Sequence, residues 1–137
     1  MHYIDQSQFP ILRIRFDPEN TYEELNAYLS DMEAIFAEHG KFLTITDISN
    51  LQPLKVSSRL RHRMAEGVDQ LAYKKAFIAE AVVISSPIIR GLFTAYSWLR
   101  RVSTHPLRSF RNMEEAEQWA QAILRGKAGN QSKTPAS

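Results

Sequence analysis

Apolar residues recur along this chain with two different periods, and stretches of the two kinds alternate. Residues 9–16 have a period of two after their proline, with apolar side chains opposite Arg13 and Arg15, which is typical of a β-strand with one polar face. Residues 42–48 are β-branched and apolar on both faces, which favours a central strand. Further strands are predicted at 79–86 and 107–110, with a short partner strand at 2–5.

The stretches between these strands have helical spacing of their apolar positions. Thr21 and Glu24 stand three residues apart, as in a capping box, at the start of the first helix. Ser86 and Pro87 supply a cap and a first-turn proline for the third. Helices are therefore predicted over about 21–38, 54–75 and 87–102, with a fourth opening at Asn112.

Strands that alternate with helices predict right-handed crossovers and a mostly parallel sheet with helices packed on it. The chain of 137 residues has the size of one domain. We therefore expect a single small α/β domain over residues 1–125, with a four- to five-stranded mostly parallel sheet and four helices. The small, polar residues 126–137 are predicted to form a disordered tail.

Composition narrows the compartment and the chemistry. There is no cysteine, so disulfides, thiolate metal sites and thiol nucleophiles are excluded. No apolar run is long enough to span a bilayer, and the N-terminus lacks the pattern of a signal peptide. A cytoplasmic protein without a membrane span is expected.

Charge is distributed unevenly along the chain. Residues 1–53 contain nine acidic and three basic side chains, whereas residues 54–113 contain eleven basic and three acidic ones. This asymmetry fits either an anionic partner or acidic and basic helices that lie side by side. The basic stretch 59–63 has no interleaved aromatic residues and matches no nucleic-acid-binding module, so a solvated helix face is favoured and no nucleic acid partner is expected.

Asp47 ends the predicted central strand, where ligands of open α/β sheets gather. It is interpreted either as a base or metal ligand, or as a cap that bonds backbone N–H groups of the turn; the cap is favoured. The four histidines are scattered and none pairs at helical spacing, so neither a metal nor another cofactor is expected. Ser57 and Ser58 lie near a helix start, where a phosphate group is favoured, but no nucleophile elbow surrounds them.

The helix at 87–102 is more apolar than one sheet-facing stripe requires. Its surplus fits deep burial, a dimer seam or a partner surface equally well. Gly91 in mid-helix would be explained by the close approach of another helix. The candidate partner-binding residues on this helix are Ile89, Leu92, Phe93, Tyr96 and Trp98.

The order of elements, the strand "AVVISSP" and the closing helix "SFRNMEEAEQWA" together resemble the STAS-like superfamily, in its SpoIIAA-like branch, over about residues 9–124. The resemblance implies that fold, and a mode of action by protein contact or by binding small apolar molecules. It also implies a possible phosphorylation site at Ser57 or Ser58, although the spacing from Asp47 is one residue longer here and Arg59 follows the serine pair.

The resulting expectation is a non-catalytic regulatory module that binds a protein partner or forms a homodimer through the 87–102 helix. The alternative is a domain that binds a small molecule or lipid in an apolar pocket between that helix and the sheet. An enzyme that uses Asp47 and a nearby histidine is a third hypothesis, and no catalytic residue is assigned.

Overall fold

The computed structural model describes residues 2–102 and 104–129, in which strands and helices alternate after an initial hairpin. The five strands are β1 His2–Gln8, β2 Ile11–Phe16, β3 Phe42–Asp47, β4 Phe77–Val83 and β5 Leu107–Phe110. The four α-helices are α1 Tyr22–His39, α2 Ser58–Tyr73, α3 Pro87–Ser97 and α4 Met113–Gly129, and a 3₁₀ turn spans Pro53–Lys55.

The strands form one sheet in the order β1-β2-β3-β4-β5. β1 pairs antiparallel with β2, and every other pair is parallel. The predicted fold class, an α/β protein with a mostly parallel sheet and four helices, is confirmed. The apolar strand at 42–48 lies in the centre of the sheet, as its sequence predicted.

Alternation along the strands divides the core between the two faces of the sheet. Large side chains of β2, β3 and β4 face α1 and α2, and include Leu12, Phe42 and Phe77. The intervening residues face α4, where they meet two buried alanines, Ala116 and Ala120. α3 packs over the end of the first face, against Val82, Ile84 and neighbouring side chains.

Three helix starts follow the capping chemistry expected from the sequence. Thr21 and Glu24 form a reciprocal capping box at α1. The Oγ atom of Ser86 accepts a hydrogen bond from the backbone N–H of Ile89 at 3.2 Å. Asn112 accepts one from the backbone N–H of Glu115 at 2.9 Å, at the start of α4.

The helix predicted over 54–75 is interrupted. The 3₁₀ turn Pro53–Lys55 comes first, and then Val56 and Ser57 adopt extended backbone angles. Ser57 is the N-cap of α2, because its Oγ atom accepts a hydrogen bond from the N–H of Leu60 at 3.2 Å. The predicted boundary was therefore wrong because a serine suited to capping the helix lay inside the range assigned to it.

α3 is shorter than its prediction of 87–102, since it ends at Ser97. The carboxylate of Asp69 on α2 accepts hydrogen bonds from the backbone N–H groups of Arg101 and Val102. These bonds replace helical ones and draw the chain toward α2. At the other end of the chain α4 continues to Gly129, beyond the expected tail boundary at 126; residues 130–137 of that predicted tail lie outside the described residues.

Two glycines have different surroundings. A Cβ atom on Gly67 of α2 would lie 2.4 Å from the Cδ1 atom of buried Leu29, so this glycine permits the close approach of α1 and α2. A Cβ atom on Gly91 of α3 would meet nothing within 4 Å. The expectation that Gly91 marks a close helix approach was wrong, because its side of α3 is open.

Candidate ligand-binding cavity

A cavity of about 150 Å³ lies between α1, α2, α3 and the sheet. Its walls are mostly apolar and come from every one of these elements. From α3 the lining residues are Leu92, Phe93 and Tyr96. The other apolar walls include Phe16, Leu25, Ile48, Leu51, Met64 and Val82.

Polar side chains of the two central strands reach the floor of this cavity. Thr44 of β3 pairs in register with Glu80 of β4, and Thr46 with Val82, so all four residues project from the same face of the sheet. Glu80 is only 9% exposed although it is ionisable. A carboxylate in such a position is costly to bury unless it has partners.

Glu80 has two such partners. Its Oε2 atom lies 3.2 Å from Nη1 of Arg100 and 2.6 Å from Nε2 of His105. Arg100 also donates from Nε to Asp69 of α2 at 2.8 Å. The four side chains form one buried network in which one arginine is shared by two carboxylates, and His105 gives Glu80 a second partner.

The same network fixes the segment that connects α3 to β5. Arg100 and His105 lie in this segment, and their side chains bond to Glu80 of the sheet. Asp69 of α2 accepts hydrogen bonds from the backbone N–H groups of Arg101 and Val102 in the same segment. Thr104 adds a hydrogen bond from its hydroxyl to the carbonyl oxygen of Ala72 at 3.2 Å. The connection is held against both α2 and the sheet, which stabilises the wall of the cavity beside α3.

Three ionisable groups near Glu80 have shifted pKa values. Burial raises the pKa of the Tyr28 hydroxyl, and the negative charge of Glu80 raises it further. The pKa of Tyr96 is raised by the same two causes in the same order. Burial by itself would lower the pKa of Arg100, but the negative charge of Glu80 and the hydrogen bonds to Asp69 and Glu80 together with Tyr96 outweigh it, and the net shift is upward. At neutral pH the two phenol groups that line the cavity are therefore uncharged.

The structure divides the candidate partner-binding residues of α3 into two groups. Ile89 is buried, and Leu92, Phe93 and Tyr96 are half-buried against the cavity. Trp98, just after the end of α3, is 80% exposed, and Ile88 in its first turn is 70% exposed. One set of residues that looked alike in sequence therefore contributes to two different surfaces.

Asp47 and the two serines have local roles. The Oδ1 atom of Asp47 accepts a hydrogen bond from the backbone N–H of Ser49 at 2.9 Å, which is the turn cap favoured from the sequence. Ser57 caps α2, and the hydroxyl of Ser58 lies 3.3 Å from Nδ1 of His62. Both serines are exposed, and neither lines the cavity.

Two basic side chains of α2, those of Arg59 and Arg63, contact residues of α1. Arg59 lies over the ring of Tyr22, with 3.8 Å between its Cζ atom and the ring centroid. Arg63 donates to Asn26 at 2.7 Å and to Glu66 at 3.2 Å. The partners on α1 are uncharged, and Glu66 belongs to α2 itself. An ion pair that does join the two helices is formed by Glu33 of α1 and Lys74 at the end of α2, 2.8 Å apart.

The residues that form the buried network were not identified from the sequence. Glu80 had a signal, because it is a charged residue inside the otherwise apolar strand "AEAVV". Asp69, Arg100 and His105 had none, since the fold alone brings them to Glu80. Among the described residues no group of three potential ligands is arranged to hold a metal ion.

Two further findings concern the whole described chain. Among the helices between residues 2 and 129, none combines the length and the apolar character needed to cross a membrane. The likeness to STAS-like domains stays a prediction from the residues. No family model, curated protein or solved structure matches the chain.

Proposed function

We propose that this domain binds a small, largely apolar molecule in the cavity beneath α3, and that it acts by binding and not by catalysis. The observation that carries the proposal is an apolar cavity of about 150 Å³ with ionisable groups on its floor. An apolar cavity of this size accommodates a molecule such as benzene. Convergent polar groups within a mostly apolar cavity are typical of ligand sites.

The buried network supports the proposal. Burying Glu80, Arg100 and Asp69 gives little stability compared with well-packed apolar residues, so an arrangement of this kind indicates a functional constraint. We also propose STAS-like membership, and that resemblance implies action by binding and not by catalysis.

The experiment uses toluene as the probe and two variants of the same helix. Leu92→Trp places a large ring at the cavity wall, whereas Ile88→Trp places the same ring on the exposed side of α3. Toluene is expected to raise the melting temperature of the wild type and of Ile88→Trp but not of Leu92→Trp, because a ligand that binds only the folded state stabilises it. Equal shifts in all three proteins, or none in any, would contradict the proposal.

A second proposal is self-association through the outer side of α3. Ile88 and Trp98 are largely exposed there, and Leu54 of the adjacent 3₁₀ turn is 100% exposed. Exposed apolar and aromatic side chains of this kind are common in protein interfaces. Sedimentation equilibrium is expected to show a dimer that Trp98→Ser converts to a monomer. The control Tyr73→Ser, which alters an equally exposed residue at the end of α2, leaves the mass unchanged; a wild-type monomer would refute this proposal.

A further inference from the structure

The proposed ligand cavity has polar groups of opposite character at its two ends. Lys55 and Arg61 line it on the side of the 3₁₀ turn and the start of α2, and the side chain of Lys55 is 53% exposed. Glu80 lines it at the sheet and is 9% exposed. The cations therefore mark the mouth of the cavity, and the carboxylate marks its floor.

The two cations at the mouth retain capacity for an anion. The only acidic partner of Lys55 among the described residues is Glu19, 3.8 Å away and itself 65% exposed, so this pair is weak. Arg61 donates from Nη1 to the carbonyl oxygen of Val56 at 2.9 Å, and in the described chain it has no acidic partner. Its remaining N–H groups suit a carboxylate, which accepts from arginine with good geometry.

The floor offers an acceptor. Both ion pairs of Glu80 are made through Oε2, and within residues 2–102 and 104–129 no hydrogen bond reaches Oε1. Because Oε2 of Glu80 already has Arg100 and His105 as partners and the cavity walls are mostly apolar, a neutral hydroxyl donor suits this position better than a second cation, which is costly to bury. Tyr28, at 4% exposure, lines the cavity beside it, and its hydroxyl forms no hydrogen bond within the same described residues.

We propose that the ligand is a small aromatic acid with a hydroxyl group at the end opposite its carboxylate. Its carboxylate lies at the mouth with Arg61 and Lys55, its ring fills the apolar middle, and its hydroxyl donates to Glu80. This inference rests on the proposed function, because it assigns an orientation to the molecule bound in the same cavity. The carboxylate stays at the mouth, so the ring and hydroxyl are the parts that the cavity of about 150 Å³ must enclose.

The test compares three matched probes by isothermal titration calorimetry on the full chain. 4-Hydroxyphenylacetate has both polar ends, phenylacetate lacks the hydroxyl group, and 4-ethylphenol lacks the carboxylate. We expect each omission to weaken binding about tenfold, the usual effect of losing one hydrogen bond to a charged group. Equal affinity for the three probes would overturn the inference.

Two variants test the assignment of the carboxylate end to Arg61. Arg61→Gln is expected to abolish the preference for 4-hydroxyphenylacetate over 4-ethylphenol while leaving its preference over phenylacetate. The control Arg59→Gln alters a cation of the same helix that lies over Tyr22 outside the cavity, so both preferences should persist. If Arg61→Gln behaves like Arg59→Gln, the assigned orientation is wrong.

Toluene separates this inference from the proposed function. If toluene binds and the three probes bind without discrimination, the cavity is a ligand site but the assignment of an aromatic hydroxy acid fails. If neither toluene nor any of the three probes binds, both the proposed function and the inference fail. Preference for 4-hydroxyphenylacetate supports both.

Discussion

On the face of the sheet that packs on α4, alanines of β4 and of the helix lie among the buried side chains, whereas the face under α1, α2 and α3 leaves a cavity. On the α4 side, Ala79 and Ala81 of β4 meet Ala116 and Ala120, and all four have 0% exposure. On the other side, the cavity lies between Phe77 of β4 and the α3 residues Leu92, Phe93 and Tyr96. Small residues allow a helix to approach closely, and large ones do not.

The ion pairs on the two faces of the sheet also differ in how deeply they are buried. Arg13 of β2 binds Glu117 of α4 through two short hydrogen bonds, and the two side chains are 24% and 28% exposed. The Arg100 and Glu80 side chains on the cavity side are 8% and 12% exposed. The pair on the α4 face therefore lies at the boundary of the core, while the pair on the cavity face lies inside it. Because buried charges are costly, only the second arrangement points to a function.

The largest predicted effect comes from removing one carboxylate on each face. Glu80→Ala leaves Arg100 and His105 buried without that partner, and we expect the free energy of unfolding to fall by about 3–5 kcal/mol. Glu117→Ala leaves Arg13 near solvent, with an expected loss of about 1 kcal/mol. Urea denaturation followed by circular dichroism measures both. If the two variants lose similar amounts of free energy of unfolding, the deeper burial of the Arg100–Glu80 pair does not make it more costly to break.

The next effect separates the two faces at neighbouring residues of one strand. Val82 lines the cavity and Val83 packs on the α4 side, so the same change to isoleucine adds one methylene group to each face. Val83→Ile is expected to cost about 1–3 kcal/mol because that side has no room. Val82→Ile is expected to be neutral or to stabilise by about 0.5–2 kcal/mol by filling space. The midpoint of urea unfolding compares them, and equal changes would contradict the difference in packing.

The sequence predicted the fold well because period and capping are local properties. Thr21, Ser86 and Asn112 cap the helices to which they were assigned, and the strand predicted at 42–48 is the central strand Phe42–Asp47. The errors lay where a side chain makes a distant contact. α3 does not continue to 102 because Asp69, far away in the sequence, accepts hydrogen bonds from the backbone N–H groups of Arg101 and Val102.

The candidate site was only partly predictable for the same reason. An apolar pocket between the 87–102 helix and the sheet was among the alternatives, and Leu92, Phe93 and Tyr96 do line a cavity there. The polar floor was not foreseen, since Glu80 acquires its partners only when β4, α2 and the α3–β5 connection come together. Helical periodicity also does not distinguish Trp98, which points to solvent, from Tyr96, which lines the cavity.

The smallest predicted effect is a pH dependence confined to the cavity face. The pKa of Tyr28 is raised in the folded state by burial and by Glu80, so the folded protein retains the phenolic proton at pH values where the unfolded chain releases it. The stability that this proton contributes is complete below about pH 10 and is lost as the pH rises further, by at most about 1.4 kcal/mol per pH unit. Tyr96 shares the direction of the shift but is only half-buried, which makes Tyr28 the clearer probe.

Tyr28→Phe removes the ionisable hydroxyl, which forms no hydrogen bond among the described residues, so the two proteins should have similar stability at pH 7. Between pH 10 and 11 the wild type is expected to lose more free energy of unfolding than the variant, as measured by urea denaturation at each pH. The control is Tyr73→Phe, which changes an exposed tyrosine and should leave the pH dependence of the wild type's free energy of unfolding unaltered. Parallel pH profiles for wild type and Tyr28→Phe would mean that Tyr28 is as accessible to solvent in the folded state as in the unfolded one, and that the cavity face is more open than its packing indicates.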